Sequence, residues 1–327
     1  FEWAYQQQET FVAHLKRKLA AEQYDLVLCM APWWTFRVQD LSLPVPLVTQ
    51  VPDFAFDHID VGSMAYYFRN VAKEIAQRAD FTVFASDFQR KWGEQYYNFT
   101  KTRTVHYSAD FIADNFNPTG EEAARVKAKY GLPDQYVLAF HPMYHKGITT
   151  ILDAYDLDGE PLPPLVLGGI GTGHLNDDTP ADDHIWDIRA RIKAHVITKK
   201  DRIWALGYVP EPDIAGLYAG AMCALAASSS EGDLSGTIFE AIMAQCPIVY
   251  SDIDVFTEQL QRDKYGWCFP VGDGEGLRDT IIRVAEQPGQ AALRTQEAAK
   301  WAKGRTVKDV ACDYLDVFRE VLIGKHS

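Results

Sequence analysis

Two carboxylates, Glu231 and Glu240, flank a small-residue turn in "SSSEGDLSGTIFEAIMAQCPIVYSD", residues 228–252. The turn opens a short apolar helix, which runs into Pro247 and an apolar strand. A helix mouth presents unpaired N–H groups and a partial positive charge, which suits phosphate. A carboxylate accepts hydrogen bonds from ligand hydroxyls. The stretch therefore points to a ligand that carries both phosphates and hydroxyls. Ser235, Gly236 and Thr237 would offer N–H groups and hydroxyls to phosphate, with Gly232 in the turn before them. Glu240, about one turn into the helix, would accept from a ribose diol. Glu231, ahead of the turn, would reach a second sugar. The plain alternative is that both acids simply favour a helix N-terminus.

Three other segments carry polar chemistry. "FHPMYHKGITT" follows an apolar run and opens a helix near Gly147, which puts Lys146 at a helix mouth with His141 and His145 beside it. Lys146 reads as a partner for a diphosphate or as a solvated loop lysine. "LVLGGIGTGH" is glycine-rich, but Gly169, Gly171 and Gly173 give G-x-G-x-G and not the dinucleotide fingerprint G-x-G-x-x-G. It reads as a tight turn beside a ligand, where missing Cβ atoms let the backbone come close. "LGYVPEPDIAGLY" places Tyr208 and Val209 at a strand end, where backbone N–H and C=O would read a nucleobase edge or form an ordinary strand–helix loop. "DIDVF", residues 252–256, contains Asp-x-Asp directly after an apolar strand and reads as a helix-capping turn rather than a metal clamp.

The elements that must position these residues alternate regularly. "YDLVLCM", "PLVTQV", "FTVFAS" and "RTVHYSA" read as buried strands, separated by helical spacing such as "MAYYFRNVAKEIAQRA" and "DFQRKWGEQYY". Asn117-Pro118-Thr119-Gly120 reads as a turn or linker, with Thr119 an N-cap for the next helix and Gly131 its C-cap. The alternation then restarts with "YVLAFH", "PLVLGG", "RIWALGY", "CALAASS", "PIVYSD" and "GWCFPV". Apolar strands alternating with helices imply parallel sheets covered on both faces. The expected fold is α/β, with two doubly wound Rossmann-like domains facing a cleft. The first spans 1–116, with a closing helix over 305–327 packing back on it, and the second spans 117–304. Ligands of such sheets lie at the carboxyl ends of the strands.

Bulk properties narrow the function. The chain has 327 residues, 47% hydrophobic and 24% charged, with a formal net charge of −13. That acidity argues against nucleic acid as a partner and against an anionic lipid surface. No apolar run reaches the length of a membrane span. Cys29, Cys223, Cys246, Cys268 and Cys312 are odd in number, scattered and without zinc spacing. They read as buried free thiols in a reducing compartment, so a cytoplasmic location is expected.

With these residues in hand, the segment from "YVLAFHPMYHKGITTILDAY" through "LGYVPEPDIAGLYAGAMCALAASSSEGDLSGTIFEAIMAQCPIVYSD" resembles the retaining nucleotide-sugar glycosyltransferases of family 4, which have the GT-B architecture. The resemblance is strong over about Gly131–Gln287 and weaker over Tyr24–Asp110. It implies that Lys146 holds the donor diphosphate and that His141 stands where the family usually has an arginine. It further implies that Glu231 contacts the donor sugar and Glu240 the ribose. Ser235–Thr237 would meet the phosphates, and Tyr208–Val209 would lie beside the base. Three features depart from the family. Eight residues separate the two glutamates where the family has seven. Pro52 replaces a histidine near the reacting carbon, so that only Asp53 carries over. The chain opens on a helix, which leaves the family's first strand and glycine-rich loop either upstream of Phe1 or dispensed with in an abbreviated domain.

The resemblance implies transfer of a hexose from a nucleotide diphosphate sugar, a UDP- or GDP-sugar, to an acceptor hydroxyl in glycan or polysaccharide biosynthesis. The anomeric configuration would be retained by a front-face route in which the leaving phosphate takes the acceptor proton. No cofactor and no metal is implied if Lys146 and the helix mouth supply the positive charge. Asp53 and Glu231 would orient the sugar. Trp33 and Trp34 after the first strand would stack on an acceptor sugar ring or pack between the domains. Two rival readings are a non-catalytic sugar-nucleotide binder and a sugar-nucleotide epimerase on the same fold.

Overall fold

The computed structural model describes residues 2–30, 43–51, 63–113, 116, 118–169, 183–199 and 201–324. In chain order the first elements are α1 (Glu2–Ala21), β1 (Val27–Met30), β2 (Leu47–Val51), α2 (Ser63–Arg78), β3 (Phe81–Phe84), α3 (Asp87–Tyr97) and β4 (Thr102–Thr104). They are followed by α4 (Asp110–Ala113), α5 (Gly120–Tyr130), β5 (Val137–Phe140), α6 (Ile148–Asp156), β6 (Leu165–Gly168), α7 (Asp183–Thr198), β7 (Ile203–Gly207) and α8 (Glu211–Gly220). The chain continues through β8 (Cys223–Ala226), α9 (Gly236–Met243), β9 (Ile248–Ser251), α10 (Asp254–Leu260), β10 (Trp267–Phe269), α11 (Gly274–Glu286), α12 (Pro288–Ala302) and α13 (Val307–Ile323). Among the described residues no helix is long and apolar enough to cross a membrane.

Two compact units result. The first comprises residues 1–107, 231–233 and 307–327, and the second comprises 108–230 and 234–306. Each is built on one wholly parallel sheet. These are the two Rossmann-like α/β units that the alternation of apolar strands and helices leads one to expect.

The first sheet has the order β1-β2-β3-β4. Every residue of β2 and β3 is buried, as central parallel strands covered on both faces must be. One face packs Val51 and Phe84 against Ala72 and Ile75 of α2 and against Tyr97 and Phe99. The other packs Val48, Phe81, Val83 and Val105 on the fully buried Val317 of α13. Val310, Tyr314, Phe318 and Val321 extend that stripe at helical spacing. Cys312 lies off the stripe and is exposed, and Cys268 is only partly buried. The expectation of five buried thiols therefore holds for Cys29, Cys223 and Cys246 alone.

The second sheet has the order β10-β9-β8-β5-β6-β7. From β5 the chain winds outward through β6 and β7. It then returns to the other side of β5 and winds outward again through β8, β9 and β10. The direction of winding reverses between β5 and β8, and a reversal of this kind opens a crevice at the strands' carboxyl ends. Below it the core is continuous, from Val137 and Leu165 through Cys223 and Val249 to Trp267. Helix α5 carries a complete capping box, Thr119 with Glu122, and ends on Gly131 in the left-handed region. Asp252 does not cap α10. The N-cap is Ile253, which offers no side-chain acceptor, and the Asp252 carboxylate instead accepts the Val271 N–H at 2.8 Å.

Candidate functional site

The loops at the crevice between β5 and β8 hold most of the candidate residues of the second unit. After β5 the chain passes through His141, whose backbone is left-handed at φ 53°, and forms one 3₁₀ turn over Tyr144–Lys146 before α6. Gly147 joins the turn to α6 at φ 73°. A Cβ there would lie 1.9 Å from the Ala227 carbonyl oxygen just past β8. Glycine thus lets the Lys146 turn abut the end of β8. The Ser229 N–H donates to the His145 carbonyl at 2.9 Å and ties the two loops together. The Ser251 hydroxyl donates to the Ser228 carbonyl at 2.5 Å and holds the same loop from β9.

His141 sits on the neighbouring strand end. Its N–H donates to the Gly168 carbonyl at 2.9 Å, and the Gly169 N–H donates to the Gly207 carbonyl at 2.8 Å, so the ends of β5, β6 and β7 are laced together. Gly169, at φ 92°, leaves room for the imidazole, because a Cβ there would stand 2.8 Å from Nδ1. Burial first, and the charge of Lys146 second, hold the His141 imidazole below the usual histidine range. It therefore enters this site mainly as a neutral donor or acceptor, not as the fixed cation that an arginine would be. Past β7, Tyr208 is 74% exposed while Val209 is buried.

Helix α9 begins at Gly236 with Ser235 as its N-cap, and the Ser235 side chain makes no capping bond. The first N–H groups of the helix, on Gly236 and Thr237, meet no acceptor among the described residues. Glu240 lies one turn further on, and its Oε2 accepts from the Tyr218 hydroxyl at 2.9 Å. Burial pushes the Glu240 carboxyl above its usual range, and the Tyr218 hydrogen bond opposes that shift. Nothing in the sequence singles out Tyr218, which reads there as one more apolar position of α8.

Glu231, Gly232 and Asp233 group with the first unit. There the Ser86 hydroxyl donates to the Gly232 carbonyl at 2.8 Å and Gln89 Nε2 to the Glu231 carbonyl at 3.2 Å. The Tyr107 N–H donates to Asp233 Oδ2 at 3.1 Å. Asp53, Trp33 and Trp34, together with Pro52, lie outside the described residues.

The family model described as Glycosyl transferases group 1 matches residues 137–287, which begin at β5 and end just past α11. O-antigen chain mannosyltransferase B of Escherichia coli is 28% identical over 203 residues. That match covers 59% of this chain and 48% of the relative, so it spans about half the relative's length. Among solved structures, sucrose-phosphate synthase from Thermosynechococcus elongatus superposes with a TM-score of 0.78 at 18% identity, covering 99% of this chain and 80% of that one. Anabaena HepE, solved in complex with UDP-glucose, superposes with a TM-score of 0.71 at 15% identity, covering 95% and 81%. The class is thereby defined as a protein of the GT-B fold with two parallel-sheet α/β units. Over residues 137–287 the chain is related to the group 1 glycosyl transferases.

Proposed function

We propose that this protein is a retaining glycosyltransferase that moves a hexose from a nucleotide diphosphate sugar to an acceptor hydroxyl. The observation that supports the reading is that the Lys146 turn follows β5 and α9 follows β8, the two strands between which the winding of the sheet reverses. In the proposed reaction negative charge grows on the leaving diphosphate. Lys146 and the N–H groups of Gly236 and Thr237 meet that charge, which is electrostatic catalysis by groups already in place. Because the chain itself supplies this positive charge, the proposed mechanism needs no metal. Glu240 accepts the ribose hydroxyls, the backbone at Tyr208 and Val209 reads the base, and His141 hydrogen-bonds the donor as a neutral ring. Glu231 orients the donor sugar, with Asp53 in the same role. Trp33 and Trp34 stack on a carbohydrate acceptor. The leaving phosphate takes the acceptor proton, so no enzyme nucleophile is required. The likeness to proteins solved with UDP and UDP-glucose makes a UDP-sugar the first donor to test, with GDP-sugars second.

The test is a thermal-shift panel of UDP, GDP, ADP and their hexose conjugates on wild type and Lys146→Ala. A ligand at 100 times its dissociation constant adds about 2.7 kcal/mol of stability. A clear shift with one base, reduced in the variant, supports the donor site. Flat traces with every nucleotide would sink it.

A further inference from the structure

Helix α8 delivers one polar group to the candidate site, the hydroxyl of Tyr218. The side chain is fully buried. Its ring lies against Phe140 at 5.4 Å and Phe116 at 6.1 Å between centroids, so the ring has no freedom to turn away. The hydroxyl donates to Glu240 Oε2 at 2.9 Å. Just before Tyr218 on α8, the Leu217 carbonyl accepts from the Tyr136 hydroxyl at 2.6 Å, which anchors this part of the helix to the start of β5. The result is a hydroxyl–carboxylate pair, with the Tyr218 ring packed between aromatic neighbours and Glu240 held at one oxygen. Glu240 stands one turn past the start of α9, and Tyr218 reaches it from α8.

A tyrosine hydroxyl has a single proton to donate. Once it is given to Oε2, Glu240 keeps Oε1 and the remaining Oε2 lone pair for a ligand. A glutamate free to rotate would lose much of this advantage, because ordering a flexible side chain at the moment of binding weakens affinity. Two adjacent hydroxyls need two acceptor directions fixed at once, and a carboxylate clamped at one oxygen provides them.

We propose that Tyr218 is the positioning residue that presets Glu240 for the vicinal hydroxyls of a ribonucleoside diphosphate, and so makes the site select ribose over deoxyribose. The proposal rests on the donor-site reading above. Tyr218 itself touches no ligand in this scheme and acts only through Glu240.

The experiment compares UDP with 2′-deoxy-UDP and GDP with 2′-deoxy-GDP by isothermal titration on wild type, Tyr218→Phe and Tyr136→Phe. Tyr218→Phe keeps the ring and removes only the hydroxyl. Tyr136→Phe removes a buried hydroxyl that bonds the same helix without touching Glu240, and so controls for a general loosening of α8. Wild type is expected to prefer the ribonucleotide by about tenfold, the effect of one hydrogen bond to a charged group. Tyr218→Phe should bring that ratio below about threefold, while Tyr136→Phe leaves it unchanged. Equal weakening of ribo and deoxy ligands in Tyr218→Phe, with the ratio preserved, would overturn the positioning role and leave the donor site standing. Collapse of the ratio in both variants would show a scaffold effect and overturn it as well. If neither diphosphate binds wild type, the donor-site reading fails and this proposal fails with it.

Discussion

Gly147 offers the sharpest test of how the candidate site is built. Replacing it with alanine adds one methyl group 1.9 Å from the Ala227 carbonyl oxygen, where real Cβ atoms keep at least 3.0 Å. The clash is with backbone, so no side chain can swing aside to relieve it. The Lys146 turn and the end of β8 must separate by about 1 Å, or the backbone at position 147 must leave φ 73°. Holding an L-residue in the left-handed region costs roughly 1–2 kcal/mol. Forcing a methyl group into packed structure costs roughly 1–3 kcal/mol more. Gly147→Ala should therefore lose about 2–5 kcal/mol, a large part of the stability of an ordinary domain. With a urea m-value of about 2 kcal/mol per molar, the unfolding midpoint of the second unit should fall by roughly 1–2.5 M. The readout is urea unfolding followed by circular dichroism, paired with titration of UDP and GDP. Separation of the loops also breaks the Ser229 to His145 hydrogen bond, so nucleotide affinity should drop together with stability. Gly120→Ala is the control, because a Cβ there meets nothing within 4 Å and the backbone is already helical. A Gly147→Ala protein with the wild-type midpoint and affinity would refute the steric reasoning.

Other outcomes follow from the charges. The Asp213 side chain is 3% exposed and bonds Arg125, Lys129 and Tyr130. Burial raises its carboxyl, but the hydrogen bonds from those three groups outweigh burial and hold it at about 2, against an ordinary 3.8. Its folded value lies below its unfolded value, so its stabilisation is present in full above about pH 4 and is lost as pH falls through about 2. That difference corresponds to about 2 kcal/mol, an upper figure because Arg125 and Lys129 are half exposed. Asp213→Asn should show the loss at pH 7 and a flatter stability profile between pH 4 and 2 in acid titrations. For Glu240 the sign is opposite. Burial raises its folded value, so the ionised carboxylate weakens the fold at neutral pH and that penalty vanishes below the ordinary glutamate range. Glu240→Gln should melt higher than wild type at pH 7 but not at pH 4, and should bind UDP or GDP more weakly. A lower melting temperature at pH 7 would contradict the buried-charge argument.

The sequence makes the elements legible more readily than their arrangement. Central strands such as "FTVF" and "LVLG" are apolar throughout and can be found by composition alone. Edges are harder to delimit. "RTVHYSA", residues 103–109, reads as one long strand, but the strand runs Thr102–Thr104 and shares only Arg103 and Thr104 with it, because past Val105 the chain turns toward α4. Lys146, Gly147, Ser235–Thr237 and Glu240 are visible because turn residues, a lysine and an acid gather at helix mouths. Tyr218 is not, since nothing in "IAGLYAGA" says that its hydroxyl meets a side chain 22 positions later. The grouping of Glu231–Asp233 with the first unit is also hidden. It depends on Ser86, Gln89 and Tyr107, more than 100 positions earlier. Local pattern reveals periodicity and capping, whereas such distant partners are set by topology.

The place of α13 in the first unit bears on how the chain is made. The sheet face of Val48, Phe81, Val83 and Val105 is sealed by Val317, about 200 residues downstream. At roughly 5–20 residues per second, a ribosome takes about 10–40 s to travel that distance. During this interval the early strands are outside the tunnel with one greasy face uncovered, while every element of the second unit emerges and can fold. Birth order and completion order are therefore inverted, and the nascent first unit is the stage at which a holdase chaperone has the most to do.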